Sequence, residues 1–502
     1  MMYEKYRLHP ISAFINFLKA LKELLFPLII LVIVNGFNFK ADGKEIWEYI
    51  PLFIFLLVVI FYLISGIVKW FTFVYWFEDN ELRVEYGLFV KKKRYIPFDR
   101  IQSFNYKESI FHRIFGLVEV TVETAGSTNG RPEAEFTAIT REAAARIERE
   151  TKKLNIGQDK DGEINVEIGG AKVSDQLQEE AHVIHKMSAK DLLLLATTSN
   201  SVGVVIAGVA ALFSQIAEYI PTDWIVEEIA AMIQFGFIFI MVIIFLAFLF
   251  AWILSVMITF INYYDFTVVQ ENDRIIITRG LLERKRIIIP NNRVQGIKII
   301  ENPLRQFFRY ATVVVESASW GFGQGDTKIM LFPLISKKEM SEPLQYLFPQ
   351  FTFDLEGEFV RPPKKSRPHF YRVYILSLIP IIGLSSYFFY PAGLLSIFLA
   401  LFVLIMGLWQ YKTNGYLISG NQLTLRYRVI SRVTFIAEKK RIQVIQKRQN
   451  FFQKRKKIAT VQATVMSGLA GATARVPHLD ESDADAILSW FERTRGINKE
   501  SA

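Results

Sequence analysis

The chain has no cysteine in 502 residues. Disulfides, thiolate metal sites and cysteine nucleophiles are therefore excluded, although the absence alone identifies no compartment. Histidine is scarce, with six in all. His182 and His185 are spaced to share a helix face, but no acidic ligand triad accompanies them, so no metal centre is expected. The first residues, Met1 to Pro10, lack the short apolar core and small-residue cleavage site of a secretory leader, so the first span is expected to be a retained anchor. No carboxylate is firmly placed mid-bilayer, which argues against a coupled transporter. Ser317 and Ser467 stand at strand ends without a companion His and Asp. Gly321-Phe322-Gly323-Gln324-Gly325 runs from strand to strand rather than into a helix N-terminus, so it is not expected to cradle a phosphate. On this reading the chain is not an enzyme and needs no cofactor.

What is present is a mosaic. Half of the residues are hydrophobic and 22% are charged, which suits membrane spans alternating with soluble modules. The net charge of +10 is read first as a signal for topology and anionic lipid, not for nucleic acid. A crossing needs about 20 mainly apolar residues. Six stretches qualify, in three pairs: 15–37 with 50–75, 192–216 with 229–260, and 371–390 with 392–411. Thr197, Thr198, Ser199, Asn200 and Ser201 dilute the third. Basic residues gather on one side of each hairpin: Arg7, Lys19 and Lys22; Lys186 and Lys190; Arg361, Lys364, Lys365, Arg367 and Arg372. The opposite loop 214–228 holds Glu218, Asp223, Glu227 and Glu228 but no Lys or Arg, while the first loop mixes Lys40 and Lys44 with Asp42, Glu45 and Glu48. The positive-inside rule then puts both termini and all the modules in the cytoplasm of a bacterial plasma membrane.

The strongest signal is repetition. Gly87-Leu88-Phe89, followed by Ile96-Pro97-Phe98-Asp99-Arg100-Ile101-Gln102, returns as Gly280-Leu281-Leu282 and Ile289-Pro290-Asn291-Asn292-Arg293-Val294-Gln295. A third, worn copy ends in Glu438-Lys439-Lys440-Arg441-Ile442-Gln443. Copies one and two align without a gap from Asn80/Asp273 to Thr124/Ser317, with a period of two that predicts strands. Asp79-Asn80, Asn272-Asp273 and Gly420-Asn421 are turn dipeptides. Gly87 and Gly280 are expected at positive φ; copy three has Arg428 there, so its turn must differ. Pro97 and Pro290 are expected to stop a strand. A further strand opens with Arg-Ile/Val-Gln, and residues 109–115 and 302–308 read as a short helical turn before another strand. Each copy is expected to close with a capped helix: Thr140 starts the first, while Ser336-Lys337-Lys338-Glu339 and Ser482-Asp483-Ala484-Asp485 show capping-box spacing.

The fold class that follows is an α+β membrane protein of six transmembrane helices in three hairpins, each followed by a small β-barrel with a C-terminal helix. The divisions are 1–76 (hairpin), 77–155 (module), 156–190 (polar linker), 191–262 (hairpin), 263–350 (module), 351–369 (linker), 370–411 (hairpin) and 412–502 (module). Arg100, Arg293 and Arg441, with Gln102, Gln295 and Gln443, are the best-repeated polar residues. They either contact a lipid headgroup or partner, or hold the barrel rim, with arginine pairing a carboxylate and glutamine satisfying a turn. Gly87, Pro97, Gly280 and Pro290 are read as structural. The basic runs Lys91-Lys92-Lys93-Arg94, Arg284-Lys285-Arg286 and Lys454-Arg455-Lys456-Lys457 are candidate contacts to anionic lipid or to a partner. Each such residue is worth roughly 1 kcal/mol near an anionic leaflet.

The order of helix pair then module, the Gly-Leu, Ile-Pro and Arg-Ile/Val-Gln motifs, and the basic-aromatic turns Phe111-His112-Arg113-Ile114-Phe115-Gly116-Leu117 and Leu304-Arg305-Gln306-Phe307-Phe308-Arg309-Tyr310 together carry a resemblance. The chain resembles bacterial pleckstrin-homology-like membrane proteins of the YdbS/YdbT type, in their long three-copy form. The resemblance covers nearly the whole chain. It implies a pleckstrin-homology-like barrel, a plasma-membrane location and no enzymatic activity. It also implies a smaller single-module protein of the same family as partner, and a role in resisting membrane-active antimicrobial peptides. Copy three departs at the Gly, Pro and Phe-Gly positions, which points to a different contact role.

Overall fold

A computed structural model describes residues 4–35, 50–88, 90–124, 132–156, 182–199, 237–317, 329–467 and 471–492. Four helical segments are long and apolar enough to cross a membrane: Phe53–Thr72, Phe245–Tyr263, Lys364–Phe388 and Gly393–Thr413. Their best windows bury only 6 to 17% of their residues inside the chain. Apolar helices left this bare suit lipid rather than a soluble core. The first expected span is a 25-residue helix, Ile11–Asn35; it packs on Ile50–Thr72 where Gly66 admits the backbone of Ala13, a Cβ at 66 being 2.9 Å from the Ala13 carbonyl oxygen. Of the third expected span only the start falls in a described helix, Ala189–Thr198. The rest of it, with Asp42, Ser127, Glu218, Glu227, Glu228 and the glycine-rich 321–325, lies outside the described residues.

Each copy builds the predicted strands, plus an N-terminal strand that the repeat did not announce. Copy one opens with Tyr6–Arg7 on Val74–Glu78, copy two with His182–Lys186 on Thr267–Glu271. In copy three a single bridge, Val360 to Tyr416, takes that place. A second module strand, Glu81–Tyr86, Arg274–Arg279 or Gln422–Arg428, is followed by the head strand: Lys92–Pro97, Arg284–Pro290 and Arg432–Glu438. A 3-10 turn carrying the repeated arginine leads into a tail strand: Ile101–Glu108, Val294–Glu301 and Ile442–Arg448. Two more strands and a helix complete each copy.

The expectation of self-contained barrels needs correction. The tail strand of copy one pairs antiparallel with the head strand of copy two, giving one seven-stranded sheet across both copies. The tail strand of copy two pairs likewise with the head strand of copy three, giving a six-stranded sheet. The three copies thus form a head-to-tail array, and Ile436 of copy three lies in the hydrophobic cluster of copy two.

The turn chemistry follows the sequence. Gly87 and Gly280 have φ of 108° and 105°. A Cβ would meet the carbonyl oxygen of Val90 at 2.2 Å or of Glu283 at 2.1 Å. Two helix starts differ from expectation. The copy-two helix is Ser341–Leu347, beginning after the Ser336–Glu339 box and with no side-chain cap. In copy three the helix is Glu481–Glu492, and Asp480 rather than Ser482 accepts the capping bonds, from the Ser482 amide and hydroxyl. Thr140 behaves as predicted, its hydroxyl accepting from the Ala143 amide.

Candidate membrane-facing collar and inter-module joints

Two surfaces repeat in every copy. The first faces the helical hairpins. Each turn after the second module strand sits against the end of the helix that leads into its module. The Gly87 amide donates to Thr72 Oγ1 at 3.2 Å, the Leu281 amide to the Ile261 carbonyl at 2.9 Å, and Gln410 Nε2 to the Val429 carbonyl at 3.0 Å. The tips of these turns expose apolar side chains: Leu88 and Val90, Leu281 and Leu282, Val429 and Ile430.

The short helix of each copy, Ile110–Ile114, Pro303–Phe307 or Phe451–Arg455, lies beside the other helix of its hairpin and is equally bare. The Phe111 ring meets Phe14 of the first helix edge-on, with centroids 6.1 Å apart. Asn302 and Arg305 donate to Thr198 at 2.8 and 3.1 Å. In copy three His478, which accompanies Gln453 of the short helix, packs on Phe370 at 4.8 Å. Ile114, Phe115, Phe307, Phe308, Phe451 and Phe452 are exposed, Phe307 at 83%. Aromatic rings backed by Arg113, Arg305, Arg309 and Lys454 to Lys457 match the chemistry of the headgroup level, where amphipathic and aromatic residues settle. Arg305 is itself buried, which pushes its guanidinium down to about 10 and leaves it charged at neutral pH.

One equivalent position here changes identity from copy to copy and so leaves no repeated residue in the sequence. His112, Arg305 and Gln453 are equivalent, and each is a buried polar staple from the short helix to the barrel. His112 bonds Ser109 Oγ at 2.6 Å and the Thr137 carbonyl at 2.8 Å. Arg305 reaches Thr312, and Gln453 reaches Thr460 at 3.0 Å and His478 at 2.9 Å. The next left-handed residue is Gly116 in copy one but Arg309 and Lys457 in the others, with φ of 65°, 60° and 50°.

The second surface is the joint. In joint one Arg284, Lys285, Arg286, Ile287 and Ile288 oppose Glu108, Lys107, Tyr106, Asn105 and Phe104. In joint two Arg432, Val433, Thr434, Phe435 and Ile436 oppose Glu301, Ile300, Ile299, Lys298 and Ile297. The register is the same. The Arg284–Lys285–Arg286 run, a candidate lipid contact by sequence, therefore sits at a module joint. Lys107 reaches Glu283 at 3.0 Å and Arg286 lies over the Tyr106 ring. Joint two is drier. Arg432 grips buried Glu301 with two bonds of 2.8 and 2.6 Å, Lys337 joins them, and Lys298 pairs with Glu316 at 2.7 Å. Gly296 gives the room joint two needs, since a Cβ there would lie 3.0 Å from the Ile436 carbonyl oxygen.

The repeated arginine and glutamine acquire distinct roles. Arg293 Nη2 donates to the Asp99 carbonyl at 3.0 Å and Arg441 Nη2 to the Asn292 carbonyl at 2.7 Å. Each arginine thus ties its own copy to the turn of the copy before, rather than pairing with a carboxylate within its barrel. The glutamine sits at a register shift in every tail strand: between Ile101 and Ser103, Val294 and Gly296, and Ile442 and Val444. It is the extra residue of a β-bulge, which bends the strand from one sheet into the next. Gln295 also donates to the Arg293 carbonyl at 3.1 Å, as a turn-satisfying residue would. Pro97 and Pro290 end their head strands as predicted. Lys91, Lys92 and Lys93 are exposed, while Arg94 bonds the carbonyls of Pro132 and Glu133. Lys454, Arg455, Lys456 and Lys457 are all exposed.

Residues 26–155, 191–348 and 374–495 match the family described as Bacterial PH domain. The chain belongs to that family. It is also 34% identical over 498 residues to UPF0699 transmembrane protein YdbT of Bacillus subtilis (strain 168), covering 98% of this chain and 99% of that one. No solved structure matches. The protein is thus a transmembrane protein with repeated bacterial PH modules.

Proposed function

We propose that the protein is a non-enzymatic membrane scaffold, an assembly subunit that protects the envelope against membrane-active antimicrobial peptides. The observation that carries the reading is the joint: neighbouring modules share sheets, a seven-stranded one across copies one and two and a six-stranded one across copies two and three. A shared sheet suits a frame that holds other components in place, and the exposed apolar collar suits contact with anionic lipid. A smaller single-module PH-like membrane protein is the proposed partner. The termini and modules are assigned to the cytoplasm. Single cysteines at Asp42 and Glu218 should label from outside with an impermeant reagent, and one at Ser127 should not.

A second reading, lipid handling, is favoured by one feature. A cleft of about 640 Å³ lies where the last helix meets copies two and three, its cations Arg361, Lys412, Arg426 and Arg432 outnumbering its carboxylates Glu356 and Glu358. A lipid headgroup would suit these cations. Survival under peptide challenge, measured with and without the chain, tests the scaffold reading; unchanged survival ends the protective role. Mass spectrometry of lipid retained in mild detergent tests the second. In the same assay, Lys91, Lys92, Lys93 and Arg94 changed together to Gln should reduce survival in part at normal membrane abundance. Full survival would remove that run as a lipid contact.

A further inference from the structure

An array built head to tail has two unused joint surfaces. Here they are the head strand of copy one, Lys92–Pro97, and the tail strand of copy three, Ile442–Arg448; each is the outer strand of its sheet, pairing on one side only among the described strands. Their side chains register the vacancy. Tyr95 is 55% exposed, while its counterparts Ile288 and Ile436 are 2% and 1% exposed. Val444 is 42% exposed where Ser103 is 2%. Arg100 is exposed and bonds nothing among the described residues, whereas Arg293 and Arg441 each tie to the preceding copy.

The simplest occupant of one end would be the other end of a second copy, which would give an open fibre. The charges oppose it. In the register shared by both internal joints, Lys92 would face Arg448 and Lys93 would face Lys447. Like charges directly opposite are destabilising; joint one sets Lys285 opposite Lys107 but bridges both with Glu283, whose counterpart at the open edge is Val90. The attractive pair is missing too. Both internal joints set a carboxylate opposite an arginine in register, Glu108 opposite Arg284 and Glu301 opposite Arg432; the second pair closes, while Glu108 bonds Arg141 of its own copy. At the free ends Lys91 would meet Gln449. Lysines on an exposed edge and like charges across a wrong pairing are devices that prevent self-assembly.

We propose that the copy-one edge, Lys91 to Tyr95 with Arg100, receives the tail strand of a bacterial PH module on a different chain. That strand carries carboxylates where copy three has Arg448 and Gln449, and its preceding turn offers a carbonyl to Arg100. A second copy of this chain is refused. The inference rests on the scaffold reading and supplies its docking point: a fourth module continuing the sheet on the copy-one side, joined by strand addition and selected by charge.

The test uses the full chain in mild detergent, which has no native cysteine to interfere. One preparation carries Tyr95→Cys and the other Ile445→Cys, positions opposed in the shared register. A short bis-maleimide reports the joint. Wild-type edges should cross-link poorly. Arg448→Glu on the Ile445→Cys chain, standing in for an acidic tail strand, should raise the yield about tenfold. Lys92→Glu on the Tyr95→Cys chain should raise it similarly by facing Arg448. Combining the two restores a like-charge pair and should return the yield to the wild-type level. Strong cross-linking of wild-type chains would make a second copy the occupant and overturn the proposal. No gain from either single change, in chains that remain monodisperse, would show that the edge takes no module. Neither result bears on survival under peptide challenge, so failure here and failure of the scaffold reading stay separate.

Discussion

The head strand of copy two and the head strand of copy one are the same element in two circumstances. One is covered by a tail strand, and its Ile288 is buried; the other is open, and its Tyr95 is exposed. The sequence of each follows its surroundings. At the matched position the covered strands carry Ile288 or Ile436 where the open strand carries Tyr95, while Lys91-Lys92-Lys93 has a basic counterpart, Arg284-Lys285-Arg286, in the covered strand of copy two. Covered strands bury apolar side chains, and an open edge is kept from unwanted pairing by lysine. A basic run at this place lines a covered joint in copy two and an open edge in copy one, so the exposure of Tyr95 rather than the run itself marks the free edge.

The largest effect expected concerns the turn that positions each head strand. Gly280→Val should cost about 3 kcal/mol or more, because a β-branched residue is strained at positive φ and its Cβ would collide with the Glu283 carbonyl oxygen. Gly87→Val should match it, whereas Arg428→Gly in copy three should lose only the stacking of Arg428 on Trp409 and its bonds. Thermal melting in detergent ranks the three; equal melting of Gly280→Val and wild type would remove the glycine requirement.

Next come the joints themselves. Glu301→Ala strips the partner from Arg432 and Lys337 in a buried setting and should cost about 3 kcal/mol. Glu108→Ala should cost less than about 1 kcal/mol, since its partner Arg141 is largely exposed. Reversal of that order in denaturant melts would mean that joint two is not the tighter one.

A smaller, pH-dependent effect separates copies one and two. Glu316 has Lys298, but its equivalent Glu123 has, among the described residues, only Ser103 and Asn105, at 3.1 and 2.9 Å. Burial pushes Glu123 up to about 7, the two hydrogen bonds opposing it. The native state therefore holds the proton more tightly than the unfolded chain. Glu123 favours folding below its unfolded value near 4.5, and that contribution is lost as pH rises through about 7. Glu123→Gln should stabilise by about 1–3 kcal/mol at pH 8 and change little at pH 4. A gain independent of pH would point to packing instead.

The smallest effects test the repeated arginine. Arg293→Ala and Arg441→Ala should each cost about 1 kcal/mol, while Arg100→Ala should leave the purified chain unchanged. Loss of stability in Arg100→Ala would give that residue a role within its own copy.

Much of this was legible in the residues. The repeat, the hairpins, the positive-φ glycines, the strand-ending prolines and the short aromatic helix all depend on local patterning. What the pattern could not give is which strand lies beside which. A period of two says which side chains share a face, and says nothing about the neighbour across the ladder. The shared sheets were therefore missed, and with them the role of Arg293 and Arg441, whose acceptors lie in another copy. The glutamine repeated because a bulge recurs, a feature of pairing rather than of composition. The staple at His112, Arg305 and Gln453 was hidden for the opposite reason. Three different side chains solve one problem, so identity fails to mark it.

Backbone amide exchange compares covered and open strands most directly. Hydrogen–deuterium exchange of the purified chain should show outward-facing amides of Arg284–Ile288 and Arg432–Ile436 protected, with those of Lys91–Tyr95 and Ile442–Arg448 exchanging far faster. Equal exchange in the open and covered head strands would contradict the continuous head-to-tail array.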